Sequence, residues 1–197
     1  MNQLYDMHCH MGFAPSPIAT AQEGAAAGIG AFSCTVAPDE YERLLPILAD
    51  APNVALGLGA HPWWIADGRV GEVELDRFCE LARATRFIGE IGLDFAGPRD
   101  TEESRVRQTG AFARILAACD QPVAPSAAGD LASKLISIHA VNAAATALNL
   151  LEAAGTLARH QVIFHWFSGA SDDLHRAIKL GCFFSVGPRM LASRRGR

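Results

Sequence analysis

The sequence predicts an α/β fold: parallel strands joined by helical crossovers and curled toward a TIM-type (β/α) barrel. Three observations carry this reading. Short apolar runs alternate with stretches of helical periodicity along the whole chain. The connections are mostly short, and no linker divides the chain. Histidines and a glutamate stand at or beside the carboxyl ends of the first, fourth, fifth and sixth runs. A flat sheet does not readily bring those ends together, whereas a barrel gathers all its strand ends on one rim.

The elements follow in order. A first strand, Leu4–His8, leads to a helix over Ile18–Gly28, and a second, Ile29–Cys34, to a helix over Asp39–Ala49. Pro38 precedes that helix where its missing N–H costs nothing. The third strand, Val54–Gly59, passes through HPWW to a helix over Val73–Ala84, and the fourth, Arg86–Ile91, to one over Thr101–Ala118. Leu135–His139 and Gln161–Trp166 are the fifth and sixth strands, followed by helices over Asn142–Ala158 and Asp172–Leu180. Ser171 or Asp172 is the expected cap of the last helix, and Gly181 its left-handed terminator. Cys182–Val186 is the seventh strand. These elements make one domain over residues 1–197 in which the eighth strand and final helix of a complete barrel, about 250 residues, are lacking. The barrel is therefore expected to be open between its first and seventh strands. Gln121–Ser133, with two prolines and a glycine, is expected to be a longer, mobile loop.

Composition narrows the function. Half of the 197 residues are apolar and 19% are charged, which excludes a disordered chain and allows one sizeable core. A net charge of −4 lends no support to a dedicated nucleic-acid binder with a basic stripe. MNQLYDMHCHMG has no basic region leading into an apolar core, and no apolar stretch reaches the length of a membrane span. Neither a secretory signal nor a membrane partner is expected, and the cytoplasm is the expected location. The five cysteines match neither a zinc ribbon nor a disulfide framework and read as reduced thiols.

His8 and His10, one residue apart on a strand, point the same way, with Cys9 facing packing on the other side. Two such imidazoles can hold one divalent ion, although one could instead bond a neighbour and the other fill space. Glu90, in the apolar run FIGEIGLD, is a carboxylate whose burial is costly unless it is paired. Its two oxygens can bridge two cations. His139 in ISIHA and His165 in VIFHW supply the other half of a two-metal site. This mixed donor set is open to zinc, magnesium or manganese. Asp94, four residues after Glu90, either orients the site or caps the following segment.

His61, just past the third strand, suits a substrate contact better than a metal ligand, or else stacks on Trp63. Trp63, Trp64 and Trp166 could form an aromatic wall for bases, or pack beneath loops. Ser168 in HWFSGA could cap a helix or touch a phosphate. His160 and His175 read as surface residues. No GxSxG elbow, GxGxxG fingerprint or GxxxxGK[ST] loop is present.

DMHCH, GLGAHPW, FIGEIGLDF, ISIHA, FHWFSG and FFSVGPRM together resemble, in order, the motifs of the TatD-related family of metal-dependent hydrolases. The resemblance implies a TIM barrel with one or two divalent ions and deoxyribonuclease activity on DNA or a small phosphodiester. It implies that His8, His10 and Glu90 bind one ion, that Glu90, His139 and His165 bind the other, and that His61 lies near the scissile phosphate. Glu90 and His61 would then be catalytic, with His61, Trp63 and Ser168 meeting substrate. The family's acidic eighth-strand motif, whose aspartate binds metal and orients water, is not among these residues. Weak or no nuclease activity is accordingly expected of this chain, with self-association through its open barrel edges. A non-catalytic remnant, and a hydrolase of a non-nucleic ester, lactone or amide, are the other readings.

Overall fold

A computed structural model describes residues 4–120 and 133–192. Seven parallel strands alternate with helices, an incomplete TIM-barrel-like arrangement. They are β1 (Leu4–Cys9), β2 (Ile29–Cys34), β3 (Val54–Gly57), β4 (Phe87–Asp94), β5 (Leu135–Val141), β6 (Gln161–His165) and β7 (Phe183–Ser185). The helices are α1 (Pro17–Ala26), α2 (Pro38–Ile47), α3 (Pro62–Ala66), α4 (Glu72–Ala82), α5 (Glu102–Cys119), α6 (Ala144–Ala153), α7 (Ser171–Lys179) and α8 (Pro188–Ala192).

The strands form two ladders, β1-β2-β3 and β4-β5-β6-β7. A single bridge between Leu58 and Ile88 joins them. Around that bridge the backbones interlock: Gly89 N–H donates to the Leu58 carbonyl at 2.9 Å, Glu90 N–H to Thr35 at 2.9 Å, and Ala60 N–H to Glu90 at 3.0 Å. The close approach dictates glycine at two places. A Cβ on Gly59 would lie 1.6 Å from the Thr35 carbonyl oxygen. At Gly92 φ is +135° and a Cβ would lie 2.1 Å from the His139 carbonyl oxygen.

The main core fills the space between the β4–β7 ladder and α3 to α7, around Phe78, Phe112, Ile115, Leu116, Ile138, Leu148, Leu151 and Phe164. A smaller cluster of Met11, Ala21, Ala31, Leu44, Leu48 and Ala51 seats α1 and α2 on β1 and β2, and the partly buried Cys9 packs against it as strand alternation requires. Lys134 is wholly buried at the start of β5, where its Nζ donates to the Ala82 and Thr85 carbonyls at 2.7 Å each. Those two acceptors at the end of α4 compensate an ammonium that would otherwise be expensive to bury.

Several local expectations are corrected. β4 runs three residues past Ile91 to Asp94 because its pairing continues as far as Val141 on β5. Gly155, at φ +69°, ends the expected Asn142–Ala158 helix early, and Asn142 itself takes φ +52° before α6 begins. No side chain caps α7, whose flanking residue is Ala170; Gly181 does turn left-handed after it, at φ +79°. HPWW opens α3, with Pro62 at its first position, where a loop was expected. His160 is not a surface residue: its Nδ1 accepts from the Lys134 N–H at 3.2 Å and its side chain is only 9% exposed. His175 is exposed as expected. The expected loop over Gln121–Ser133 lies, save Ser133, outside the described residues.

β1 and β7 are not paired with each other among the described residues. Between them runs a groove of about 750 Å³ lined by Tyr5, Asp6, His8, Trp166, Phe183 and Ser185, among others. Leu4, Tyr5 and Phe183 are exposed along it, the kind of bare apolar edge that templates pairing with another chain. In a monomeric sample, the groove-facing amides of β1 and β7 should exchange with deuterium far faster than those of β5, which is paired on both sides; equal protection would show a closed barrel. Gly92→Ala should lower stability by at least about 1–3 kcal/mol, the range for a strained backbone, as read from its denaturant midpoint.

Candidate metal centre

The site is built on Glu90. β4 runs through the middle of the strand array, and the backbone bonds to Thr35 and Ala60 fix where the Glu90 carboxylate emerges, 2% exposed. Around it stand imidazoles from four other segments. His8 and His10, at the end of β1, bring their Nε2 atoms to 3.4 and 3.3 Å from Glu90 Oε2 and 3.2 Å from each other. His61, after β3, brings Nε2 to 3.5 Å from the same oxygen. His139, on β5, brings Nδ1 to 2.7 Å from Glu90 Oε1. His165, at the end of β6, stacks on His8 with ring centroids 3.5 Å apart and planes 13° from parallel. The five residues expected at a metal centre thus converge on one rim.

Their outer atoms are held as well. His10 Nδ1 lies 2.9 Å from the Cys34 carbonyl and donates to it, so only in the neutral ring does Nε2 carry the lone pair, while in the charged ring Nε2–H donates to Glu90. His8 Nδ1 lies 3.1 Å from Ser137 Oγ. His61 differs: its Nδ1 accepts the Trp63 backbone N–H at 3.1 Å, so in the neutral ring the proton sits on Nε2. His61 therefore faces Glu90 as a donor, although His61, Glu90 and His139 are close enough to form a ligand group on distance alone.

Asp94 serves both roles open to it in the sequence. Its Oδ1 accepts the Ala96 N–H at 3.0 Å, a local cap, while Oδ2 lies 2.7 Å from His139 Nε2 and accepts the Trp63 indole N–H at 2.7 Å. Gln108 of α5 pins the Asp94 backbone on both sides, through N–H at 2.7 Å and carbonyl at 2.9 Å. Burial disfavours charge on both carboxylates. The hydrogen bonds from His10, His139, His61 and His8 nonetheless hold Glu90 well below the usual carboxylate range, and those from His139 and Trp63 lower Asp94. Burial also disfavours a charged His139, but Asp94 and Glu90, one on each nitrogen, hold it up to about 9. His165 goes the other way: burial and the neighbouring His8 push it down to about 3.

These residues fit a divalent metal. His165 Nδ1 is buried with no hydrogen-bond partner, a lone pair left for a Lewis acid. The atoms of His8, Glu90 and His165 lie within 4.8 Å of one another, as ligands of one ion must. A mixed histidine–carboxylate donor set suits a divalent ion without selecting which one.

Other expected residues fall around this centre. Trp63 is 43% exposed at the rim, edge-on to His61, with the Arg99 guanidinium 4.5 Å above its ring. Trp166, at φ +46°, stacks on His165 and is 45% exposed. Trp64 instead packs against the core beneath Arg69. Ser168 is exposed in the loop after β6, with no hydrogen bond among the described residues. Residues not anticipated from sequence are Phe13, stacked on His10 with its ring 65% exposed, together with Ser137, Gln108 and Arg99. Ser137 was reachable by alternation, two residues before His139 on one strand face; no local pattern marks the others.

A barrel-type α/β fold with this histidine–carboxylate cluster on its carboxyl rim defines a metal-dependent hydrolase. The family model for TatD related DNase matches residues 5–196, and the chain belongs to that family. Among solved structures it is similar to YJJV, the TatD homologue of Escherichia coli K12. Identity is 21% and the TM-score 0.78, over 96% of this chain and 70% of that one. A search of curated proteins found no match.

With carboxylates on both sides, His139 donates from both nitrogens. An ion held by Nδ1 and Glu90 must displace the Nδ1 proton while Nε2–H stays on Asp94. Metal binding should release about one proton per His139, so affinity should rise by about tenfold per pH unit from neutrality toward pH 9. Calorimetry in buffers of different ionisation enthalpy measures the release; a pH-independent affinity would show that His139 keeps its proton.

Proposed function

We propose that the chain hydrolyses phosphodiester bonds in DNA, working from an exposed strand end. The observation that carries this reading is the tautomer of His61, set among exposed aromatic rings. Its Nε2–H points into the site and suits hydrogen bonding to a phosphate oxygen, which presents only acceptors. Phe13, Trp63 and Trp166 stand around the same rim with their rings partly open to solvent, and unpaired bases stack on such rings at about 1–3 kcal/mol each. The chain is acidic as a whole, and Arg99, over Trp63, is itself paired with Asp67 at 3.6 Å, so a short or single-stranded substrate is favoured over a long duplex.

His8, His10, Glu90, His139 and His165 would hold one or two divalent ions. When bound, these supply Lewis-acid polarisation of the phosphate and a water of lowered pKa. Glu90 would hold them through its carboxylate and balance part of their charge. His8 and His10 are fixed by Ser137 and Cys34 so that their Nε2 atoms face inward. In this reading His61 orients the scissile phosphate, Trp63 meets the adjoining base, and the exposed Ser168 meets a phosphate further along the strand. The five free cysteines fit a reducing cytoplasm. The open edges of β1 and β7 offer a route to self-association. No described helix is long and apolar enough to cross a membrane.

The test is nucleotide release from single-stranded DNA with added zinc, magnesium or manganese. Metal-dependent release is expected, because a bound divalent ion would supply the polarised phosphate and the water of lowered pKa. It should vanish in Glu90→Gln and fall at least about tenfold in His61→Ala. Undiminished release by Glu90→Gln would sink the proposal, and hydrolysis of lactones or carboxylic esters in preference to diesters would move the chain to the neighbouring reading.

A further inference from the structure

We infer that Trp63 is a positioning residue for the metal centre, acting through Asp94 on His139, in addition to facing substrate. The inference rests on the metal-centre reading and deepens it. Trp63 Nε1–H donates to Asp94 Oδ2 at 2.7 Å, and the same oxygen lies 2.7 Å from His139 Nε2. The opposite edge of His139 meets Glu90 Oε1 at 2.7 Å. Indole, aspartate, imidazole and glutamate thus form one continuous line from the exposed rim to the buried carboxylate, each link at full hydrogen-bond length.

The line has no slack except at its outer end. Asp94 is 2% exposed, its backbone is clamped by Gln108, and its Oδ1 is taken by Ala96 N–H. The orientation of its carboxylate about the last side-chain bond depends on what each oxygen accepts. Trp63 is the donor that keeps Oδ2 turned toward His139; without it, that oxygen keeps one partner where it had two, in a place water scarcely reaches. His139 is then held by a carboxylate that is freer to turn, so the proton on its Nε2 and the angle of its ring are less firmly fixed. Such outer partners typically contribute 10–100-fold to metal affinity. The effect should fall chiefly on the ion that His139 holds, because His8 meets the other oxygen of Glu90, is held by Ser137 and stacks on His165. His165 touches the line only as the cross-strand neighbour of His139, ring centroids 6.5 Å apart.

Trp63→Phe isolates the idea. It keeps an aromatic ring over the rim and keeps the backbone N–H that binds His61, removing only the indole donor. Metal titration of the whole chain by calorimetry, with zinc or manganese, gives the binding steps. Each step is assigned by whether it disappears in His139→Ala or in His165→Ala. Trp63→Phe should weaken the His139-dependent step by about tenfold and leave the His165-dependent step unchanged, and Asp94→Asn should weaken the same step at least as much. Wild-type affinity in Trp63→Phe overturns the inference. So does equal weakening of both steps, which would mark a general structural role. A wild-type chain that takes up no ion overturns the metal-centre reading itself and is recognised without any variant.

Discussion

A carboxylate buried among four imidazoles is the constraint on which the rest of this molecule turns. Glu90 is nearly sealed from water, and an isolated charge there would cost several kcal/mol. The chain meets the cost by bringing nitrogen donors to it from β1, the loop after β3, and β5. Those donors come from segments up to 131 residues apart in sequence, from His8 to His139, so the site exists only when the strands are correctly ordered. Glycines at 59 and 92 are part of the same requirement, since they let β3 and β5 approach the strand that carries Glu90 closely enough for its neighbours to reach it.

The strand-end histidines and Glu90 were legible in the sequence because each breaks a local rule: a polar, titratable side chain closing an apolar run has few explanations. The alternating order of elements was legible for a similar reason, as period and length distinguish short buried strands from long amphipathic helices. What escaped was set by contacts between distant residues. That β4 continues to Asp94 depends on β5 pairing with it, and a glycine at positive φ within the run argues locally for a break. That His61 starts a helix and is itself its N-cap depends on its imidazole accepting a main-chain N–H, a role outside the usual serine, threonine, aspartate and asparagine preference. His160 looked like a polar helix end, yet Lys134 and Asp120 enclose it. Phe13 has no periodic company at all; only the turn after β1 puts its ring on His10.

The two strand ladders give the molecule an uneven distribution of order. From β4 to β7 each strand pairs with the next, with one register shift between Ile88 and Ile91, and most of the large buried side chains lie on that side. The β1–β3 ladder rests largely on a smaller cluster and joins the other at the Leu58–Ile88 bridge and the backbone bonds around it. Local opening is easiest where buried apolar contacts are few. The ligands of β1 therefore belong to the less strongly held half of the molecule, and those of β4 to β6 to the more strongly held half.

The stack of His8 on His165 acquires a mechanical meaning from this. These two rings belong to strands on opposite sides of the groove, where no backbone ladder runs between β1 and β7. Among the described residues, this stack is a contact between side chains across the groove. Any ion shared by His8, Glu90 and His165 would tie the two halves together in the manner of a buckle, and its binding energy would be counted twice, once as affinity and once as cohesion of the fold. With such an ion bound, metal affinity and the cohesion of the two halves would be linked equilibria, each raised by the other.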